Sequence, residues 1–154
     1  MRSPIRSLLT LGTLAALLAT GRATAAAPRP CAITVDMTGF RSDKGQALVA
    51  LFTSAKGFPD QPKQAVRRVA VKIRRGGKAR AVLRSLPPGT YAVAVLHDED
   101  GDREMKTGFL GRPKEGYGAS RDARGKLGPP RFDDARLTLR PGQSLTARIS
   151  MVYH

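Results

Sequence analysis

Asp98, Asp100 and Asp102 stand at alternate positions in the run His97-Asp98-Glu99-Asp100-Gly101-Asp102. Calcium takes six to eight oxygen ligands, and a D-x-D-x-D run on a turning backbone supplies three of them from one segment. The trio is therefore the candidate calcium site, with Glu104 or a backbone carbonyl as further donors. Its spacing departs from an EF-hand loop. Arg103 stands where that loop has glycine, Gly101 comes two places early, Phe109 replaces the twelfth-position glutamate, and Lys106 adds a positive charge nearby. The competing reading is an acidic loop paired with a basic remainder.

His97 closes an apolar run on the side shared by Tyr91, Val93 and Val95. Beside Asp98 or Glu115 it could serve as a general base; the alternative is a hydrogen-bonded histidine that holds the start of the loop. His97, Glu99, Glu115, Tyr117, Ser120 and Phe132 are the candidates for an interaction surface. The chain contains no G-x-S-x-G elbow, phosphate-binding loop, H-E-x-x-H or paired-cysteine motif. The expectation is a non-catalytic module, with no cofactor other than calcium.

These residues have to be positioned by strands. Ile33, Val35 and Met37 alternate with Thr34, Asp36 and Thr38. The segments 46–53 and 91–96 are apolar on both faces, as central strands are. Val69, Val71 and Ile73, then Ala79, Ala81 and Leu83, alternate on either side of Gly76-Gly77, a hairpin-turn pair. Leu137 and Leu139, then Leu145, Ala147, Ile149 and Met151, complete the pattern beyond Pro141-Gly142. About seven strands with glycine and proline turns predict an all-β, antiparallel, immunoglobulin-like or prealbumin-like sandwich. Residues 98–135 form one long loop in this reading, holding seven glycines and three prolines. Loops of that length are functional or disordered, and Phe109, Leu110, Tyr117, Leu127 and Phe132 predict that this one folds onto the sandwich.

The chain has 154 residues and a net charge of +15, from 27 basic and 12 acidic side chains. Nine acids lie within 98–135, so the rest of the chain is strongly basic. Arg68, Lys72, Arg74, Arg80 and Arg84 are expected on one face of the Gly76-Gly77 hairpin. Such a face can attract anionic partners, the competing reading being an ordinary solvated strand face; a protein or an anionic envelope component is the candidate partner. Nucleic acid is not expected, because no aromatic side chains interleave with these cations for base stacking.

Residues 1–25 read as a cleaved signal peptide. Arg2 and Arg6 precede the apolar stretch Leu8–Leu18, and Ala23-Thr24-Ala25 is a small-x-small cleavage site. The apolar stretch falls short of the roughly 20 residues a membrane span needs, so no transmembrane span is expected after cleavage. Residues 26–154 would then be one periplasmic or secreted domain. One cysteine cannot make a disulfide framework, so Cys31 is either a buried thiol, the favoured reading, or one half of an intermolecular bridge.

The motif Leu86-Pro87-Pro88-Gly89-x-Tyr91, continuing to His97-Asp98-Glu99-Asp100, resembles the signature of an exported bacterial family. So do Leu110-Gly111, Pro113-Lys114-Glu115-Gly116-Tyr117-Gly118-x-Ser120 and Gly128-x-Pro130-x-Phe132-x-x-Ala135. The family is domain of unknown function number 2141, and the resemblance runs from about Ile33 to Tyr153. It implies a secreted or periplasmic β-sandwich with no assigned reaction, similar to accessory or binding modules. The family's loop typically reads H-D-E-N-x-N-G-x-x-D. Here Arg103 and Lys106 replace the glycine and the last acid, which weakens the case for a metal in this chain.

Overall fold

The computed structural model describes residues 30–108, 113–126 and 128–153. The signal-peptide segment and Phe109, Leu110 and Leu127 lie outside the described residues. Eight strands run in the order β1 (Cys31–Thr38), β2 (Gln46–Phe52), β3 (Arg67–Val71), β4 (Lys78–Leu86), β5 (Gly89–Asp98), β6 (Tyr117–Ala119), β7 (Leu137–Leu139) and β8 (Ser144–Ser150). An α-helical turn, α1, spans Phe132–Ala135. The described residues thus hold eight strands against the expected seven or so. The addition is β6, three residues around Gly118 that are too short to show an alternation.

The strands form two sheets, β4-β1-β8 and β3-β2-β5-β6, with β7 also on the β6 edge of β5. One pairing breaks the antiparallel expectation: β1 runs parallel to β8, from Ala32 opposite Ser144 to Thr38 opposite Ser150. The main core lies between the sheets. Ile33, Val35, Met37, Leu51, Leu83, Val93 and Ile149 are each at most 1% exposed there, and burying a side chain of this kind contributes about 1.5–3 kcal/mol. The period-two rule accounts for this, because alternate residues of each strand point to the same layer. Cys31 is buried among them as expected, its thiol donating to the Arg140 carbonyl at 3.0 Å.

The Gly76-Gly77 turn does not make an ordinary hairpin. β3 pairs with β2 and β4 pairs with β1, so the turn carries the chain from the edge of one sheet to the edge of the other. Only Arg74 and Lys78 bridge across it. The Phe40 amide donates to the Gly77 carbonyl at 3.2 Å, and a Cβ on Gly77 would lie 2.4 Å from the Phe40 oxygen. This corrects the single basic face. Arg68 shares the outer face of the second sheet with its partner Ala50, whereas Arg80 and Arg84 lie on the outer face of the first.

The 98–135 segment is also not one loop. Its second half contributes β6, a 3-10 turn over Ser120–Asp122, and α1. These fold onto the outer face of β2 and β5, as the aromatic residues predicted. Phe132 and Phe58 pack with Ala92, Ala119, Ala123 and Ala135, and Phe58 meets Phe52 edge-on at 5.4 Å. The outer face of β2-β5 is thereby buried under a second, smaller apolar layer. Among the described residues the outer face of β4-β1-β8 has no such roof; its β8 edge alone is met, by the 3-10 turn, where Asp122 accepts from Ser150.

Candidate functional site

β5 delivers His97 and Asp98 to one end of the sandwich, opposite Ala47 and Gln46 of β2. Odd-numbered residues of β5 face the core, so the His97 ring is fully buried. Its Nε2 lies 3.0 Å from the Lys44 carbonyl, which can only accept, so Nε2 carries the proton. In the neutral ring Nδ1 then accepts from the Tyr153 hydroxyl at 2.7 Å, and that hydroxyl accepts the Arg41 amide at 3.1 Å. Phe40 closes the ring's edge at 5.1 Å. Both nitrogens are therefore engaged within the protein. A general base needs a lone pair aimed at substrate, and His97 has none to spare in this arrangement.

Asp98 is buried as well. One oxygen accepts from Gln46 Nε2 at 2.7 Å and the other from the Gly101 amide at 2.9 Å, which bends the chain sharply after β5. Glu115, 4% exposed, accepts from the Glu99 amide at 3.1 Å and the Lys106 amide at 3.3 Å. Its carboxylate ties the two ends of the loop together, and Lys114 donates to the Lys106 carbonyl beside it at 2.8 Å. Glu99 reaches the other way, to the Arg41 guanidinium and the Ser42 hydroxyl. The Arg41 hydrogen bond holds the Glu99 carboxyl below its ordinary range, against the opposing effect of burial. Arg41 also stacks over the Tyr153 ring at 4.8 Å, and burial pushes the Tyr153 phenol upward.

The acidic trio does converge. Asp98, Asp100 and Asp102 each place a carboxylate oxygen within 4.8 Å of the others. A cation from the chain is already there, however. The Lys106 ammonium pairs with Asp100 and lies 3.3 Å from Asp102, bridging the two exposed acids. The Asp100 contact is the main reason that the Lys106 ammonium is held above its ordinary range and the Asp100 carboxyl below. Asp100 and Asp102 also accept the amides of Asp102 and Glu104, at 3.2 and 2.9 Å.

Ser120 and Phe132 are not part of this cluster. They sit on the flank of β5, where β6 stops at Ala94 and β7 begins at Tyr91. In that gap the buried Ser120 hydroxyl accepts from the Val93 amide at 3.0 Å and donates to the Ala135 carbonyl. It thus replaces a missing stretch of strand. Tyr117, half-buried, pairs with Leu96 and bridges to Val152. Tyr153, Arg41, Gln46 and the Lys44 carbonyl complete the His97–Asp98 cluster. Sequence reasoning missed them because nothing local marks them. Only the β2–β5 register, which sets Gln46 opposite Asp98, could have found one of them.

Residues 35–146 match the family described as uncharacterised proteins conserved in bacteria (DUF2141). The chain belongs to that family. The match runs from the middle of β1 to the start of β8 and takes in the whole of the 98–135 segment, so the His97–Glu115 cluster lies inside the family domain. No curated protein matches the sequence. Two solved forms of a pilus-presented adhesin, Cpa, are similar at 12% and 13% identity, with TM-scores of 0.26 and 0.23. They cover 84% and 80% of this chain, which spans only 28% and 26% of theirs. Likenesses this weak carry no weight for fold or function.

Proposed function

We propose that this DUF2141 member is an exported, non-catalytic β-sandwich module that presents its 98–135 segment to a partner. One observation carries the reading. The polar atoms of His97, Asp98, Glu115 and Ser120, the residues most suited to chemistry, are all engaged by backbone and side-chain groups of the protein. Among the described residues no buried side-chain nitrogen or oxygen lacks a partner. Such a cluster fixes a loop, and what it fixes is the exposed run from Asp100 to Glu104.

Export is supported by the Arg2/Arg6, Leu8–Leu18 and Ala23-Thr24-Ala25 pattern. The test has two arms. The purified chain is expected to leave ester, glycoside and peptide panels untouched. Turnover that is lost in Glu115→Gln would overturn the non-catalytic reading. Fused to a reporter active only outside the cytoplasm, residues 1–25 are expected to direct export, with the mature chain starting at Ala26. A silent reporter would remove export.

The convergence of the acidic trio favours a second reading, a calcium-stabilised module. Thermal melts in EDTA and in millimolar calcium separate the two. A ligand at ~100 times its Kd stabilises the folded state by about 2.7 kcal/mol, which moves the midpoint by several degrees. The curves are expected to overlay, because the Lys106 ammonium already pairs with both Asp100 and Asp102 and offsets part of their charge. A shift that disappears in Asp100→Ala would put calcium first.

A further inference from the structure

The sandwich treats its two outer faces differently. That of β2-β5 is roofed by Phe58, Phe132 and the alanines around them, while that of β4-β1-β8 is bare. Register places Lys78, Arg80 and Val82 of β4 in rows with Thr38, Asp36 and Thr34 of β1. The same rows continue into Ser150, Arg148 and Thr146 of β8. Arg84 extends the β4 column, and Arg67 flanks it, its guanidinium donating to the Arg84 carbonyl at 3.0 Å. The three strands and this flank therefore present five cations and one acid, Asp36, which is held by Arg80; at the β8 edge a second acid, Asp122, accepts from the Ser150 amide and hydroxyl. Lys78, Arg84 and Arg148 have no carboxylate partner among the described residues.

We propose that this bare sheet face is a docking surface for an anionic lipid membrane. Charge complementarity is the first argument, since the cations outnumber the two acids, Asp36 and Asp122, which are engaged by Arg80 and by Ser150. Shape and composition supply the second. The rows are lined by serine and threonine hydroxyls, which suit headgroup phosphates. Val82, 41% exposed between Arg80 and Arg84, offers an apolar contact with the interface. No aromatic stands on the face, so it lacks the stacking platform that nucleic acid requires. The face spans roughly 10 Å across its three strands, from the ordinary strand spacing, so its charges act together within one screening length, ~10 Å at 0.1 M salt.

The test is co-sedimentation of the full chain with phosphatidylcholine vesicles with and without 30% anionic lipid. The expected result is salt-sensitive binding to the anionic vesicles alone. A basic side chain near an anionic leaflet strengthens binding roughly five-fold, so Lys78→Ser/Arg84→Ser/Arg148→Ser should weaken it about 100-fold. The control triple, Lys56→Ser/Lys63→Ser/Arg68→Ser, removes equal charge from the opposite side and should bind as the parent does; circular dichroism confirms that both variants are folded. Equal losses in the two triples would overturn the proposal, since net charge alone would then explain binding. So would equal binding to neutral vesicles, or tighter binding of a single-stranded oligonucleotide than of anionic vesicles at the same salt.

Discussion

Gly45→Ala is expected to destabilise the protein by at least about 3 kcal/mol, a cost typical of overpacking against atoms that cannot move. Gly45 has φ +66°, and a Cβ there would stand 1.9 Å from the Asp98 carbonyl oxygen and 2.7 Å from the Glu99 Cα. Both obstacles are backbone, pinned by the Asp98–Gly101 turn on one side and the Glu115 clamp on the other. The methyl group would have to lift segment 39–46 off the strand end, and the Lys44 carbonyl would leave His97 as it went. Gly101→Ala is the matched control. Its φ is +84°, but nothing lies within 4 Å of the new Cβ, so only the left-handed backbone cost of about 1 kcal/mol applies. Urea unfolding of the two variants measures the difference. Equal costs would show that the strand end yields, and that the cluster is looser than its hydrogen bonds imply.

The second large effect is at Asp98, where two substitutions are expected to diverge. Asp98→Ala leaves the Gln46 amide and the Gly101 amide without their buried acceptor. At about 1–3 kcal/mol for each orphaned group, the total is roughly 2–6 kcal/mol, toward the lower end because Gly101 lies at the surface and Gln46 is half-buried. Asp98→Asn keeps an oxygen for the Gly101 amide. Its new NH2 can donate to Gln46 once that side-chain amide turns over, so the cost should stay below about 1 kcal/mol. A residue serving only as architecture gives this pattern. If Asp98→Asn proves as damaging as Asp98→Ala, the carboxylate charge itself is required, and the trio regains its standing as a cation site.

The sandwich itself was legible because strands state their faces. Val35 against Asp36 and Ala81 against Arg80 fix which side is buried without any knowledge of partners. Sheet membership is another matter. Period two is identical whether Gly76-Gly77 joins neighbours in one sheet or spans two, so the shared basic face was read where there is none. The residues of the site were legible as well, down to His97, Asp98 and Glu115, but their work was not. A carboxylate that accepts two distant backbone amides has the same letters around it as one that binds a metal. The Ser120 splice depends on where β6 stops and β7 starts, at residues far apart in the chain.

The parallel pairing of β1 with β8 also sets an order in time. A chain made from its N-terminus presents β1 early and can give it β4 at once, yet the other edge of β1 stays open until residues 144–150 have emerged. Ala147 and Ile149 reach the core at that same late moment. Closure of the first sheet therefore waits on the last strand made, a long-range contact of the kind that slows folding. Until then the core between the sheets lacks Ala147 and Ile149, and the part of the chain already made holds only an incomplete sandwich.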